Sequence, residues 1–143
     1  MSCMKASGKI KKTLLNIDDQ MAEAGDSTTL SNLFTKGAHH KNLTVLYPVQ
    51  NVYNKSKSQT TVSLNTHYNV VFRNERDASQ FWSLEYQMHP GDARWLLDAF
   101  NDASKEPFGY LVLDHHPTSK REMRVLTNIL PSKSLTIYIK RSI

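Results

Sequence analysis

Short apolar segments alternate with a segment of helical spacing in the first third of this chain, and this alternation limits the fold more than any other feature. Residues 13–17 and 43–49 are mostly apolar runs of strand length. Between them Leu30, Leu33 and Phe34 recur at the spacing of one helix face. A strand, a helix and a second strand predict a β-α-β unit, in which the two strands are parallel.

The rest of the chain continues the alternation. A polar stretch at residues 54–61 predicts a loop, and residues 68–73 predict a third strand. Helices are expected at residues 77–88 and 92–104, followed by strand-like runs at residues 110–113, 125–130 and 135–139. The pattern as a whole predicts an α/β fold with a mostly parallel sheet and flanking helices.

Composition indicates one soluble domain of ordinary type. The chain has 143 residues, of which 39% are hydrophobic and 22% charged. No apolar run approaches the roughly 20 residues of a membrane helix, and the single cysteine, Cys3, cannot form an internal disulfide. We therefore expect an intracellular protein that is neither secreted nor bound to a membrane. The net charge of +5 permits attraction to nucleic acid without requiring it.

Polar pairs directly follow the first two predicted strands. Asp18 and Asp19 close the first strand, and Gln50 and Asn51 close the second. Ligands of parallel sheets bind beyond the carboxyl ends of the strands. A short strand followed by two acids has the form of a Walker B segment, in which the first acid holds Mg²⁺ and the second polarises the attacking water. The alternative is that the acids simply cap the following helix.

The order of several short segments carries a resemblance to a known family. The segments are LLNIDDQM at residues 14–21, LFTKGAHH at 33–40, LTVLYPVQN at 43–51, SLNTHY at 63–68, FRNERD at 72–77 and TNILP at 127–131. Together they resemble the C-terminal half of the FtsK/HerA-type DNA-packaging ATPases of large DNA viruses and Maverick/Polinton-like mobile elements. The resemblance covers residues 12–131.

The resemblance implies a partial P-loop-NTPase-like fold and a ring-shaped motor that uses ATP and Mg²⁺ to push double-stranded DNA into capsids. It assigns Asp18 to the metal, Asp19 to catalysis, and Gln50 and Asn51 to a catalytic sensor of the γ-phosphate. The implied partners are double-stranded DNA, further copies of the chain and a complete ATPase subunit. The implied location is the nucleus or a viral replication site.

The phosphate-binding part of the family pattern is missing from these residues. A Walker A loop needs G-x-x-x-x-G-K-S/T, so that backbone N–H groups and a lysine surround the phosphates. The nearest approach is Gly8-Lys9, where Ile10 follows instead of a hydroxyl residue and Cys3 stands in place of the first glycine. We therefore expect the Walker A strand and helix to be lacking and the chain to be inactive alone.

The resemblance and the charge pattern together predict three regions along the chain, and an alternative function remains open. Residues 1–11 are expected to form a basic flexible N-terminus, residues 12–131 an incomplete ATPase-like α/β domain, and residues 132–143 a basic tail or edge strand. The alternative function is that of a non-catalytic adaptor or remnant of a viral or mobile element, which associates with an ATPase ring or binds nucleic acid weakly.

Two pairs of adjacent histidines are candidate metal ligands. They are His39-His40 and His115-His116, the latter next to Asp114. Adjacent residues of a strand point to opposite faces, so that one pair rarely supplies two ligands to one ion. Cap and turn roles are therefore favoured.

Overall fold

The structure is a computed structural model that describes residues 13–17, 28–37, 43–49, 57–73, 91 and 93–140, with residues 57–59 described by their backbone alone. The chain divides into two compact units, Met1–Asn65 and Thr66–Ile143. Within the described residues no helix is long and apolar enough to cross a membrane.

The first unit contains the predicted β-α-β arrangement. Strand β1 spans Thr13–Asn16, helix α1 spans Thr28–Asn32 and continues as a π-helix over Leu33–Gly37, and strand β2 spans Leu43–Leu46. The two strands pair in parallel, with Thr13 opposite Leu43 and Asn16 opposite Leu46. The predicted direction and adjacency of the strands are confirmed, and the helical segment ends at Gly37 as its sequence indicates.

A second helix in this unit corrects the sequence prediction. Helix α2 spans Lys57–Asn65 and begins inside the stretch that was expected to be a loop. Its Val62 is buried with Leu30 and Phe34 of the α1 segment in a small core. Tertiary packing of one apolar residue thus outweighs the weak helix preference of a polar segment. Asn65 Nδ2 also donates a hydrogen bond to the Thr61 carbonyl over 2.8 Å.

Tyr47 carries an unsatisfied polar group at the edge of this core. Its hydroxyl is buried and has no hydrogen-bond partner within the described part of the chain. Burial raises the pKa of Tyr47 above its ordinary value. The ring lies edge-on to Phe34, with centroids 6.2 Å apart. The ring therefore contributes packing, while the hydroxyl contributes a desolvation cost.

Replacing Tyr47 by phenylalanine is expected to stabilise the protein by up to about 1 kcal/mol, because it removes a buried polar atom and keeps the ring. Urea denaturation gives the free energy of unfolding. The control is Tyr68→Phe, whose hydroxyl belongs to an exposed side chain, and which is expected to change stability by less than about 0.5 kcal/mol. A clear loss of stability in Tyr47→Phe would contradict the description of the Tyr47 hydroxyl as buried without a hydrogen-bond partner.

The second unit is an antiparallel sheet with one helix. Its strands are β3 (Tyr68–Phe72), β4 (Tyr110–Asp114), β5 (Val125–Thr127) and β6 (Thr136–Ile137). Helix α3 spans Ala93–Ala103, and a 3-10 turn spans Arg121–Met123. The strands lie in the order β3-β4-β5-β6, and each neighbouring pair is antiparallel. The described chain is therefore mixed α/β.

The prediction of a mostly parallel sheet is wrong for this second unit. A parallel pair needs a crossover of about a dozen residues or more, usually a helix. Strand β5 follows β4 after residues 115–124, and β6 follows β5 after residues 128–135, and both connections are too short for a crossover. The predicted helix at residues 77–88 lies outside the described residues.

The core of the second unit lies between α3 and one face of its sheet. Leu96, Ala99 and Phe100 recur at helical spacing and are buried. They form one cluster with Leu111 and Leu113 of β4 and with Val125 of β5. The helix then ends at a turn, where Ser104 Oγ donates to the Phe100 carbonyl over 2.7 Å. This turn leads into the loop at residues 104–109, which forms one wall of a groove.

Candidate functional site

The four site residues predicted from sequence lie outside the described residues. These residues are Asp18, Asp19, Gln50 and Asn51. The strands that precede them are described, and they run side by side in the same direction. The N–H of Ile17 donates to the carbonyl of Leu46 over 2.9 Å, so the pairing extends to the residue before Asp18. The carboxyl ends of both strands therefore meet at one edge of the first unit.

The strand pair of the first unit leaves apolar side chains exposed. Leu14 is 65% exposed and Leu46 is 51% exposed, and all four residues of β1 are exposed to solvent. Strands of parallel sheets are ordinarily covered on both faces. The described part of this unit thus presents an apolar strand surface of the kind that further strands or helices cover in a complete α/β domain.

The turn after β4 engages the second histidine pair in hydrogen bonds. The N–H of His116 donates to Asp114 Oδ1 over 2.8 Å, and Ser119 Oγ donates to Asp114 Oδ2 over 2.7 Å. His116 Nδ1 lies 2.8 Å from Thr118 Oγ1, and His115 Nε2 lies 3.2 Å from Asn69 Nδ2. These contacts brace a turn. Among the described residues no group of three or more histidine, cysteine or acidic side chains is placed to hold a metal ion.

An open groove of about 620 Å³ lies in the second unit, and sequence reasoning did not find it. Its walls are the end of α3, the loop at residues 104–109, the end of β5 and strand β6. Charged side chains of both signs border it in pairs. Lys105 Nζ donates to Asp102 Oδ1 over 2.6 Å, and Lys133 Nζ donates to Glu106 Oε2 over 2.8 Å. Both pairs are solvent-exposed, so each adds little to stability.

Tyr138, the residue directly after strand β6, reaches helix α3 across this groove. Its hydroxyl donates to Asp102 Oδ2 over 2.8 Å. Burial, together with the hydrogen bond to the Asp102 carboxylate, raises the pKa of Tyr138 to about 12. Hydrogen bonds from Lys105 and Tyr138 lower the pKa of Asp102. The pair therefore stays as a neutral phenol and a carboxylate across the ordinary pH range.

Stability is expected to fall as pH rises from about 10 towards about 12, because the folded protein then retains a proton on Tyr138 that the unfolded chain loses. Below pH 10 Tyr138 contributes its full stabilisation. Urea denaturation at several pH values across this window measures how steeply the free energy of unfolding falls with pH. The fall is expected to be less steep in Tyr138→Phe, and an equally steep fall in this variant would contradict the raised pKa of Tyr138.

Two residues in an unusual backbone conformation border the groove. Phe108 has φ 62° and Asn128 has φ 56°, and they are the two non-glycine residues with positive φ among those described. Asparagine tolerates this left-handed region, whereas a bulky aromatic residue is an outlier there. Phe108 is also 93% exposed. The loop thus holds an aromatic ring in solvent at the cost of backbone strain, which is the kind of feature that concentrates at functional sites.

The groove has only a partial signal in the sequence. Pro107 and Gly109 mark the turn that carries Phe108, and this spacing could have indicated an exposed aromatic residue. Asp102 and Tyr138 lie 36 positions apart, and they meet only because β6 returns beside β5. The arrangement offers binding contacts, with an aromatic ring, polar side chains and paired charges around an open space.

No protein-family model, no curated protein and no solved structure matches this chain.

Proposed function

We propose that this chain supplies the Walker B and sensor half of a FtsK/HerA-type DNA-packaging ATPase. The observation that carries the proposal is the parallel pairing of β1 with β2. In the sequence, β1 ends one residue short of Asp18-Asp19 and β2 ends three residues short of Gln50-Asn51. Carboxyl ends of neighbouring parallel strands share one edge, which is where nucleotides bind in open α/β sheets.

The four side chains suit the chemistry of phosphoryl transfer. Carboxylate and amide oxygens are ligands that Mg²⁺ accepts, so the residues fit the metal that the resemblance implies. Asp18 would hold the ion through water, and Asp19 would orient the attacking water. Gln50 and Asn51 would contact the γ-phosphate. Mg²⁺ would neutralise charge that develops on the phosphate oxygens.

The 143 residues contain no G-x-x-x-x-G-K-S/T segment. Tight binding of ATP therefore requires a Walker A segment from elsewhere. The exposed leucines of the strand pair support such a completion, since Leu14 and Leu46 present apolar surface that an added strand and helix would bury. Double-stranded DNA is the polymer on which the completed motor would act.

The experiment is a reconstitution. The 143-residue chain is co-expressed with the Walker A-bearing half of a FtsK/HerA-type packaging ATPase, and ATP hydrolysis is measured with and without double-stranded DNA. We expect each half alone to be inactive and the purified mixture to hydrolyse ATP in a DNA-stimulated manner. Turnover of about 1 s⁻¹ or more by the chain alone would contradict the need for a completing segment, and an inactive mixture would contradict the catalytic role.

The second candidate is a non-catalytic adaptor that joins an ATPase ring. The exposed strand pair favours it, because this surface can bind a partner whether or not hydrolysis follows. The same mixture separates the two. An adaptor co-purifies with the Walker A-bearing half and gives no DNA-stimulated hydrolysis, whereas the catalytic half gives both.

A further inference from the structure

The loop at residues 104–109 holds an aromatic side chain in a position that no contact within the described part of the second unit explains. Phe108 is 93% exposed and has φ 62°. Its neighbours fix it there, because Pro107 restricts the chain before it and the N–H of Gly109 bonds to the Glu106 carbonyl over 3.0 Å. Both the strained backbone and the exposed ring are unfavourable in an isolated chain. A partner that buries the ring would offset both.

The groove beside Phe108 is large enough to receive an aromatic ring of this kind. It has a volume of about 620 Å³ and is open to solvent. Leu130 and Tyr110 line it, and Leu130 is an exposed side chain. One chain therefore carries both a protruding aromatic residue and, next to it, a recess lined by apolar and polar side chains together. Such a surface can pair with itself about a two-fold axis.

The charges around the groove indicate which class of partner fits. The border has two lysines, Lys105 and Lys133, and two acids, Asp102 and Glu106. The sum is zero, so the groove has no excess of positive charge for a nucleic-acid backbone. Each lysine is paired with an acid of its own chain, so a second copy meets a border without net charge and is not repelled by it.

We propose that this face is a self-association surface, in which Phe108 of one copy packs into the groove of a second copy and the second copy does the same in return. The inference concerns a part of the chain distant in sequence from Asp18 and Asn51 and does not rest on the proposed ATPase role. A small interface of this kind gives a weak, reversible dimer.

The test is sedimentation velocity of the full chain from roughly 10 μM to roughly 1 mM, the range in which a small interface is expected to associate. We expect the sedimentation coefficient to rise from the monomer value towards that of a dimer. Phe108→Asn keeps a residue that tolerates positive φ and removes the ring. It is expected to weaken association by about 30-fold, as for an aromatic residue at an interface centre.

Met123→Ala is the matched control, since Met123 is also an exposed apolar residue but does not line the groove. It should associate as the unsubstituted chain does. Urea midpoints show whether each variant is folded. A monomer at all concentrations overturns the proposal, as does a Phe108→Asn variant that associates normally. A monomer whose binding to a labelled single-stranded oligonucleotide is lost in Phe108→Asn also overturns it, and assigns the face to nucleic acid.

Discussion

Leu111→Ala is expected to destabilise the second unit by about 2–5 kcal/mol, which is among the largest effects of any single substitution in the described residues. Leu111 lies on β4 and is 0% exposed. It belongs to the cluster that α3 forms with β4 and β5. Truncation removes buried methyl groups and leaves a cavity that antiparallel pairing on both sides of β4 prevents from closing.

The measurement is the free energy of unfolding in urea, followed by far-ultraviolet circular dichroism. The matched control is Leu97→Ala, because Leu97 lies on α3 in the same unit and is 38% exposed. It is expected to cost less than about 1 kcal/mol. Equal losses in the two variants would contradict the assignment of the core face of α3 and β4.

Gly109→Ala is expected to destabilise the same unit by roughly 3 kcal/mol, because the new methyl group has no space. A Cβ at this position would overlap the Ala103 carbonyl oxygen and would lie 2.9 Å from Ser104 Cα and 3.0 Å from the Glu106 carbonyl oxygen. All three atoms belong to the backbone, so no side-chain rotation relieves the overlap. The end of α3 and the start of β4 would have to move apart.

Gly91→Ala is the matched control, because it tests the cost of a positive φ without the steric overlap that occurs at Gly109. Gly91 has φ 94°, but nothing lies within 4 Å of a Cβ built there. Its cost is therefore conformational alone, about 1–2 kcal/mol. Urea denaturation of the two variants should rank Gly109→Ala as the more damaging. The reverse order would show that the loop at residues 104–109 does not approach the end of α3 as described.

Local sequence patterns predicted the elements that depend on local interactions. The β-α-β unit follows from apolar runs around Leu30 and Phe34, and α3 follows from the stripe of Leu96, Ala99 and Phe100. Helix α2 was missed because its sequence is polar apart from Val62 and Leu64, and of these two only Val62 is buried, against the α1 segment.

Strand direction and the groove depend on contacts between distant residues. The antiparallel pairing of β4 with β5 and of β5 with β6 follows from the short connections between these strands, a signal that the alternation of strands and helices hides. The groove depends on the hydrogen bond of Tyr138 to Asp102 and on the positive φ of Phe108. Neither has a periodic signature. The parallel pairing of β1 with β2 was predicted correctly, because both strands belong to one β-α-β unit, although β2 ends at Leu46 and not at residue 49 as predicted.

The most direct test of the ATPase proposal is the steady-state turnover of the reconstituted mixture with Asp19→Asn in the 143-residue chain. The substitution keeps the size of the side chain and removes the carboxylate that would orient water. Asp98→Asn, at an exposed acid on α3, is the matched control. We predict a loss of at least about 100-fold in kcat for Asp19→Asn and unchanged turnover for Asp98→Asn. Equal, undiminished turnover in both variants would contradict the assignment of Asp19 and with it the proposed function.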